Sequence, residues 1–206
     1  MLGMLGFLKK VAKISKNTTS TALATANTDV TIASTALRYS YLALGYSYPS
    51  SVLAHLTVIT QQVLYFLQKY PTIEAFYKVF NPQRMVFICQ DPQYCFFGPS
   101  PTLTQIDIMY GPLSSAKWLV PLIADASLSC GLKEDVSENQ LQFTAVAISN
   151  RYRWLKAGEL MLFFFNFKAG FYERFYSYFD TQTIIRSFKS FLDERALAIA
   201  AHEREL

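Results

Sequence analysis

Residues 137–199 read SENQLQFTAVAISNRYRWLKAGELMLFFFNFKAGFYERFYSYFDTQTIIRSFKSFLDERALAI, and their punctuation decides the fold. Ser137 followed by Gln140 has the spacing of a capping box, in which each side chain satisfies the other residue's free backbone N–H. Leu141, Thr144, Ala145, Ile148 and Tyr152 then recur on one helical face. A turn near Lys156 leads into GELMLFFFNFKAG, where Gly170 supplies a left-handed stop. Asp180 can cap a last helix carrying Ile184, Ile185, Phe188, Phe191, Leu192, Ala198 and Ile199 at intervals of three and four.

Ten of the seventeen residues from Phe163 to Phe179 are aromatic. Rings bring large apolar area with few rotatable bonds, so such a run builds a core or a binding surface. Its first part belongs to a helix, and Phe163, Phe164 and Phe167 are expected in the core. The turn after Gly170 is expected to present Tyr172, Arg174 and Tyr176 outward beside Lys168. Arg195 continues the apolar stripe of the last helix, so burial there would require a carboxylate partner, Asp180 or Glu159.

Further upstream the punctuation remains helical. Thr102 can cap LTQIDIMY ahead of Gly111, and Ser114 or Ser115 can cap a helix through Trp118, Leu119, Leu122, Ile123 and Ala126. Residues 99–206 therefore read as a compact bundle of about five helices, and the chain as mainly α. Residues 84–101 carry prolines, a glycine and β-branched or aromatic residues, and read as a short strand pair or an irregular link ending near residue 98. Residues 36–98 form a helical segment, with helices expected from Ser50 to about Lys69 and from Pro71 to Phe80.

The first 35 residues differ in character. Residues 2–16 suit an amphipathic helix, with Phe7 on the apolar face and Lys9, Lys10, Lys13 and Lys16 supplying the charge. That helix fits an anionic membrane surface, an acidic protein surface or a dock on its own domain. Residues 17–35, rich in Thr, Ser, Ala and Asn, read as a linker. The net charge of +4 resides in residues 1–40, while the remainder balances to zero. A globally cationic, DNA-coating protein is therefore not expected.

Three cysteines and two histidines offer neither a disulfide framework nor a zinc site, and no eighteen-residue apolar run marks a transmembrane helix. No P-loop, dinucleotide fingerprint, Gly-x-Ser-x-Gly or His-Glu-x-x-His occurs. No metal, cofactor or catalytic residue is expected.

The strings PTLTQIDIMYG, AKWLVPLI and the run from Ser129 to Ala196 resemble a family of small proteins of phages and mobile elements of gut bacteria, the DUF6633-like domains of unknown function. The resemblance spans roughly residues 100–200 and is most specific from Tyr152 to Tyr176, together with Asp180 and Glu194-Arg195. Glu173 stands where that family commonly has glycine, so a backbone turn gripping phosphate is not implied. The resemblance implies a location in the bacterial host cytoplasm or a virion.

These readings favour a non-enzymatic protein that docks on another protein within a macromolecular assembly. Low charge, many tyrosines, Trp118 and Trp154 suit interface anchors. The alternative is nucleic-acid binding at the basic-aromatic turn 168–176, using Lys168, Tyr172, Arg174 and Tyr176 with Arg153, Lys156 and Lys189 nearby. The near-balance of charge over 151–206 weighs against that alternative.

Overall fold

The computed structural model describes residues 50–132, 136–173, 175 and 178–205, with residues 50–57 and 60 described by backbone alone. Contacts divide the chain into Met1–Phe76 and Tyr77–Leu206. The first unit contains α1 (Ser50–Lys69). Val63, Phe66 and Leu67 lie on its buried side, and Tyr70 meets Phe76 edge-to-face with ring centroids 6.0 Å apart. Helix α2 (Ile73–Val79) crosses the boundary between the units.

The second unit continues with a 3-10 turn (Pro82–Arg84), α3 (Met85–Ile88), α4 (Pro92–Phe97), α5 (Leu103–Tyr110), α6 (Ser114–Ser129), α7 (Glu138–Arg151), α8 (Ala157–Ala169) and α9 (Thr181–Glu205). Among the described residues there is no strand, only an isolated bridge between Thr102 and Lys156. The protein is mainly helical, and these helices pack into a compact bundle. None of the described helices is long and apolar enough to cross a membrane.

The segment 84–97 overturns the expectation of strands or an irregular link. Pro82 and Pro92 open helical turns, because the first turn of a helix leaves the proline's missing N–H unused. Asn81 and Asp91 cap those turns by accepting from the N–H groups of Arg84 and Gln93. The helices so started bury Met85, Cys89, Cys95 and Phe96, and α3 and α4 both pack on α8.

Helix α8 is apolar nearly all round, as a helix enclosed by others must be. It contacts α3, α4, α6 and α9. Phe163, Phe164 and Phe167 are all buried as expected. Phe163 stacks on Phe188 with centroids 3.8 Å apart, and Phe188 stacks in turn on Tyr152 at 4.3 Å. One column of rings thus joins the end of α7, the middle of α8 and the middle of α9. Helix α8 starts tight against α4: a Cβ on Gly158 would sit 3.0 Å from the Cys95 carbonyl oxygen. It ends at Gly170, whose φ of 83° is the left-handed conformation that glycine adopts without steric cost.

Caps at Thr102 and Ser137 form as read, each as a complete capping box. The start of α6 differs. Neither Ser114 nor Ser115 is its N-cap; that position is Leu113, in the left-handed region at φ 64°. Ser114 Oγ donates back to the Tyr110 carbonyl. The carboxylate of Asp107, on α5, accepts from the Ser115 N–H at 2.8 Å and from its hydroxyl at 2.9 Å. A longer-range cap replaces the local one, because the α5–α6 turn brings Asp107 over the open end of α6. The Ser115 hydroxyl also meets that of Ser149 on α7 at 2.6 Å, which links three helices.

Candidate functional site

Three features of the second unit join elements through charged or polar groups: a buried ion pair, an aromatic corner and a cleft.

The ion pair begins with Glu159 in the first turn of α8. Only 1% of this residue is exposed. Its Oε2 accepts from the Lys156 N–H at 2.7 Å, and its Oε1 accepts from Arg195 Nε at 2.6 Å. Of the two carboxylates expected for Arg195, Glu159 is thus the partner. Asp180 serves the N-terminus of α9, where it accepts from the N–H groups of Gln182 and Thr183 and from the Thr183 hydroxyl. The Arg195 guanidinium lies over the Trp154 ring, 4.8 Å from its centroid. The segment carrying Trp154 is itself stapled to the start of α5. Leu103 and Thr104 donate to the carbonyls of Leu155 and Arg153, and Ala157 donates to Pro101.

Burial raises the proton affinity of the Asp180 carboxyl, but the Thr183 hydroxyl, the two N–H groups and Arg186 outweigh it, holding the pKa below the ordinary carboxylate range. A depressed folded-state pKa contributes stability that is complete above the unfolded value and is lost as pH falls through the folded one. Replacing Asp180 by Ala is therefore expected to lower stability near neutral pH by about 1 kcal/mol, the weight of a helix cap. It is also expected to shrink the loss of stability between about pH 6 and about pH 2. Urea midpoints of both proteins across that range check this; parallel acid limbs would refute it.

The aromatic corner differs from its expected outward presentation. The Tyr172 ring lies nearly parallel to Phe163, with centroids 5.5 Å apart. Its hydroxyl donates to Glu194 Oε2 at 3.0 Å and accepts from Asn166 Nδ2 at 3.3 Å. Burial keeps that hydroxyl protonated well above the usual phenol range. Lys168 Nζ lies 2.6 Å from Asp125 Oδ2 on α6, so this cation is neutralised internally. Arg186 is shared between Glu173 at 3.0 Å and Asp180 at 3.6 Å. Among its described residues the corner exposes two rings, Phe171 at 72% and Tyr178 at 67%, beside the paired Glu173 and Arg186. Arg174 and Tyr176 lie outside the described residues, as do Phe7, Lys9, Lys10, Lys13 and Lys16.

The other expected site residues are dispersed. Arg153 is exposed and contributes its carbonyl to the α5 staple. Lys156 donates from Nζ to the Phe96 carbonyl at 2.8 Å, which ties α8 to α4. Lys189 is exposed on α9. Trp118 is buried and donates from Nε1 to the Phe80 carbonyl, so it is a core residue and not a surface anchor. Trp154, 47% exposed, remains available.

A cleft of about 450 Å³ opens between the C-terminal end of α7 and the middle of α9. Its floor is Tyr152, Ile185 and Leu192; Arg151, Arg186, Lys189 and Asp193 stand around it. Sequence reading took Lys189 as part of the turn's surroundings and missed the cleft it shares with Arg151, Arg186 and Asp193, because helices remote in sequence bring these together.

Among the described residues, no group of three or more His, Cys, Asp or Glu is placed to hold a metal ion. Cys89 and Cys95 are free and buried. The hydrogen bond between the two thiols raises the pKa of Cys89, with burial adding to it, and lowers that of Cys95, with burial opposing it.

Fold and surface together define a mainly helical protein whose second unit is a bundle locked by a buried ion pair, with exposed rings after Gly170 and a cleft edged by cations. Residues 135–205, which include α7, α8 and α9, match a family of unknown function, DUF6633. No curated protein and no solved structure matches the chain.

Proposed function

We propose that this chain is a non-enzymatic binding protein that docks on another protein through the corner after Gly170. The observation that carries the reading is the contrast within that corner: Phe171 and Tyr178 stand out in solvent while Lys168 and Arg186 are already paired with carboxylates. Protein interfaces are depleted in charge at their centre and enriched in aromatic anchors, whereas phosphate recognition uses uncompensated cations. In this reading the partner belongs to an assembly of a phage or mobile element, in the host cytoplasm or a virion; the sequence resemblance of residues 100–200 supports it.

A photo-crosslinking phenylalanine analogue at position 171, compared with one at exposed Gln142 on α7, tests the reading. Position 171 is expected to trap one defined protein that position 142 does not. Against that purified partner, the Phe171→Ser/Tyr178→Ser variant is expected to bind at least about tenfold more weakly with an unchanged circular dichroism spectrum. Single-stranded DNA binding whose salt slope falls in a Lys168→Ala variant, with no protein trapped at position 171, would overturn it in favour of nucleic acid.

A further inference from the structure

The cleft between α7 and α9 borders the docking corner, with which it shares Arg186, and combines three chemistries. Its floor is apolar and rigid: Tyr152 is buried and backed by the Phe188 ring at 4.3 Å, and Ile185 and Leu192 are half-buried beside it. The cleft, about 450 Å³, is open to solvent along its outer side, so a ligand in it would be only partly buried.

Two cations stand at its edge without an ion-pair partner among the described residues. Arg151 ends α7, with its guanidinium 5.9 Å from the Tyr152 ring centroid, and Lys189 is exposed on α9. Arg186 is already shared by two carboxylates and adds little net charge. Asp193, one helical turn beyond Lys189, supplies an exposed acceptor on the same cleft.

An apolar floor, uncompensated cations and one carboxylate acceptor match a ligand with a planar apolar part, a phosphate and hydroxyl donors. We propose that this cleft binds a nucleoside phosphate. Arg151 and Lys189 hold the phosphate by charge-assisted hydrogen bonds. The base lies over Ile185, Leu192 and Tyr152, and Asp193 accepts from a sugar hydroxyl. The same unit occurs as a free nucleotide and as one residue of a single strand.

Calorimetric titration of the full chain with a 5′-ribonucleoside monophosphate, the corresponding nucleoside, inorganic phosphate and a short single-stranded oligonucleotide tests this assignment. The monophosphate is expected to bind, with nucleoside and inorganic phosphate each at least about tenfold weaker. Arg151→Gln/Lys189→Gln is expected to lose at least about tenfold in affinity, and Asp193→Ala to lose the parent's preference for the ribonucleotide over the matching deoxyribonucleotide. Lys117→Gln, an exposed cation on α6 outside the cleft, is expected to bind like the parent. Oligonucleotide binding tighter than the monophosphate, and lost in the same double variant, makes a single strand the source; equal or weaker binding makes it the free nucleotide. No binding of monophosphate or oligonucleotide, inorganic phosphate binding as tightly as the monophosphate, or a double variant that binds normally would each overturn the proposal. The altered residues are surface groups, and circular dichroism of each variant confirms that the fold persists.

Discussion

Arg195→Ala is expected to lower the free energy of unfolding by about 3 kcal/mol, the scale for breaking a buried ion pair from one side. The carboxylate left behind is in a residue only 1% exposed, between the start of α8 and the face of α9. The Arg195 side chain is 24% exposed, so water entering where it stood replaces the lost guanidinium only in part. The Lys156 N–H would still serve one oxygen, but the charge would have no counterpart. The variant also removes the cation from the Trp154 face, so the exposed indole should report the change in its fluorescence.

The companion variant Glu159→Gln/Arg195→Met should recover much of the loss. It retains an acceptor for the capping N–H and introduces no unpaired charge. Urea denaturation of the parent, the single and the double variant measures these differences. A loss below about 1 kcal/mol for Arg195→Ala would mean that the pair acts like an exposed surface bridge.

Phe163→Ala is expected to cost about 4 kcal/mol, the middle of the range for a buried aromatic replaced by alanine. Phe163 is fully buried, stacks on Phe188 at 3.8 Å and meets Phe164, Phe191 and Tyr172. Its removal opens a cavity where α8 and α9 meet. It also takes away the surface on which Tyr172 rests, so the corner should loosen together with the core. Phe163→Leu should recover part of the stability without restoring the stack. Chemical denaturation gives the first quantity, and amide exchange at Phe171 and Glu173 gives the second. A cost under about 1.5 kcal/mol would show that neighbouring rings close the gap.

Much of the second unit was legible because its signals are local. The Thr102 and Ser137 boxes, the Gly170 stop and the Asp180 cap each involve residues within one turn of each other. The partner of Arg195 was legible in part: an arginine on an apolar stripe needs a carboxylate, and the sequence offered two. Only packing decided for Glu159, because α8 places it opposite α9 while Asp180 caps α9.

Segment 84–97 was misread for a physical reason. Proline breaks a helix interior and starts a helix equally well, and composition alone does not distinguish the two positions. Tyr172 was misread because a tyrosine after a glycine turn looks exposed, whereas here the α8–α9 turn folds its ring back onto Phe163.

By itself, then, the amino-acid order determined the helical class, the caps of α5 and α7 and the stop of α8, and the membership of the phenylalanine core. Periodicity and capping act over one or two turns, and neighbouring residues are enough to express them. Tertiary structure decided which charges neutralise each other, which rings face solvent and where a cleft opens. Arg151 and Lys189, or Lys168 and Asp125, meet their surroundings only when helices remote in sequence pack side by side.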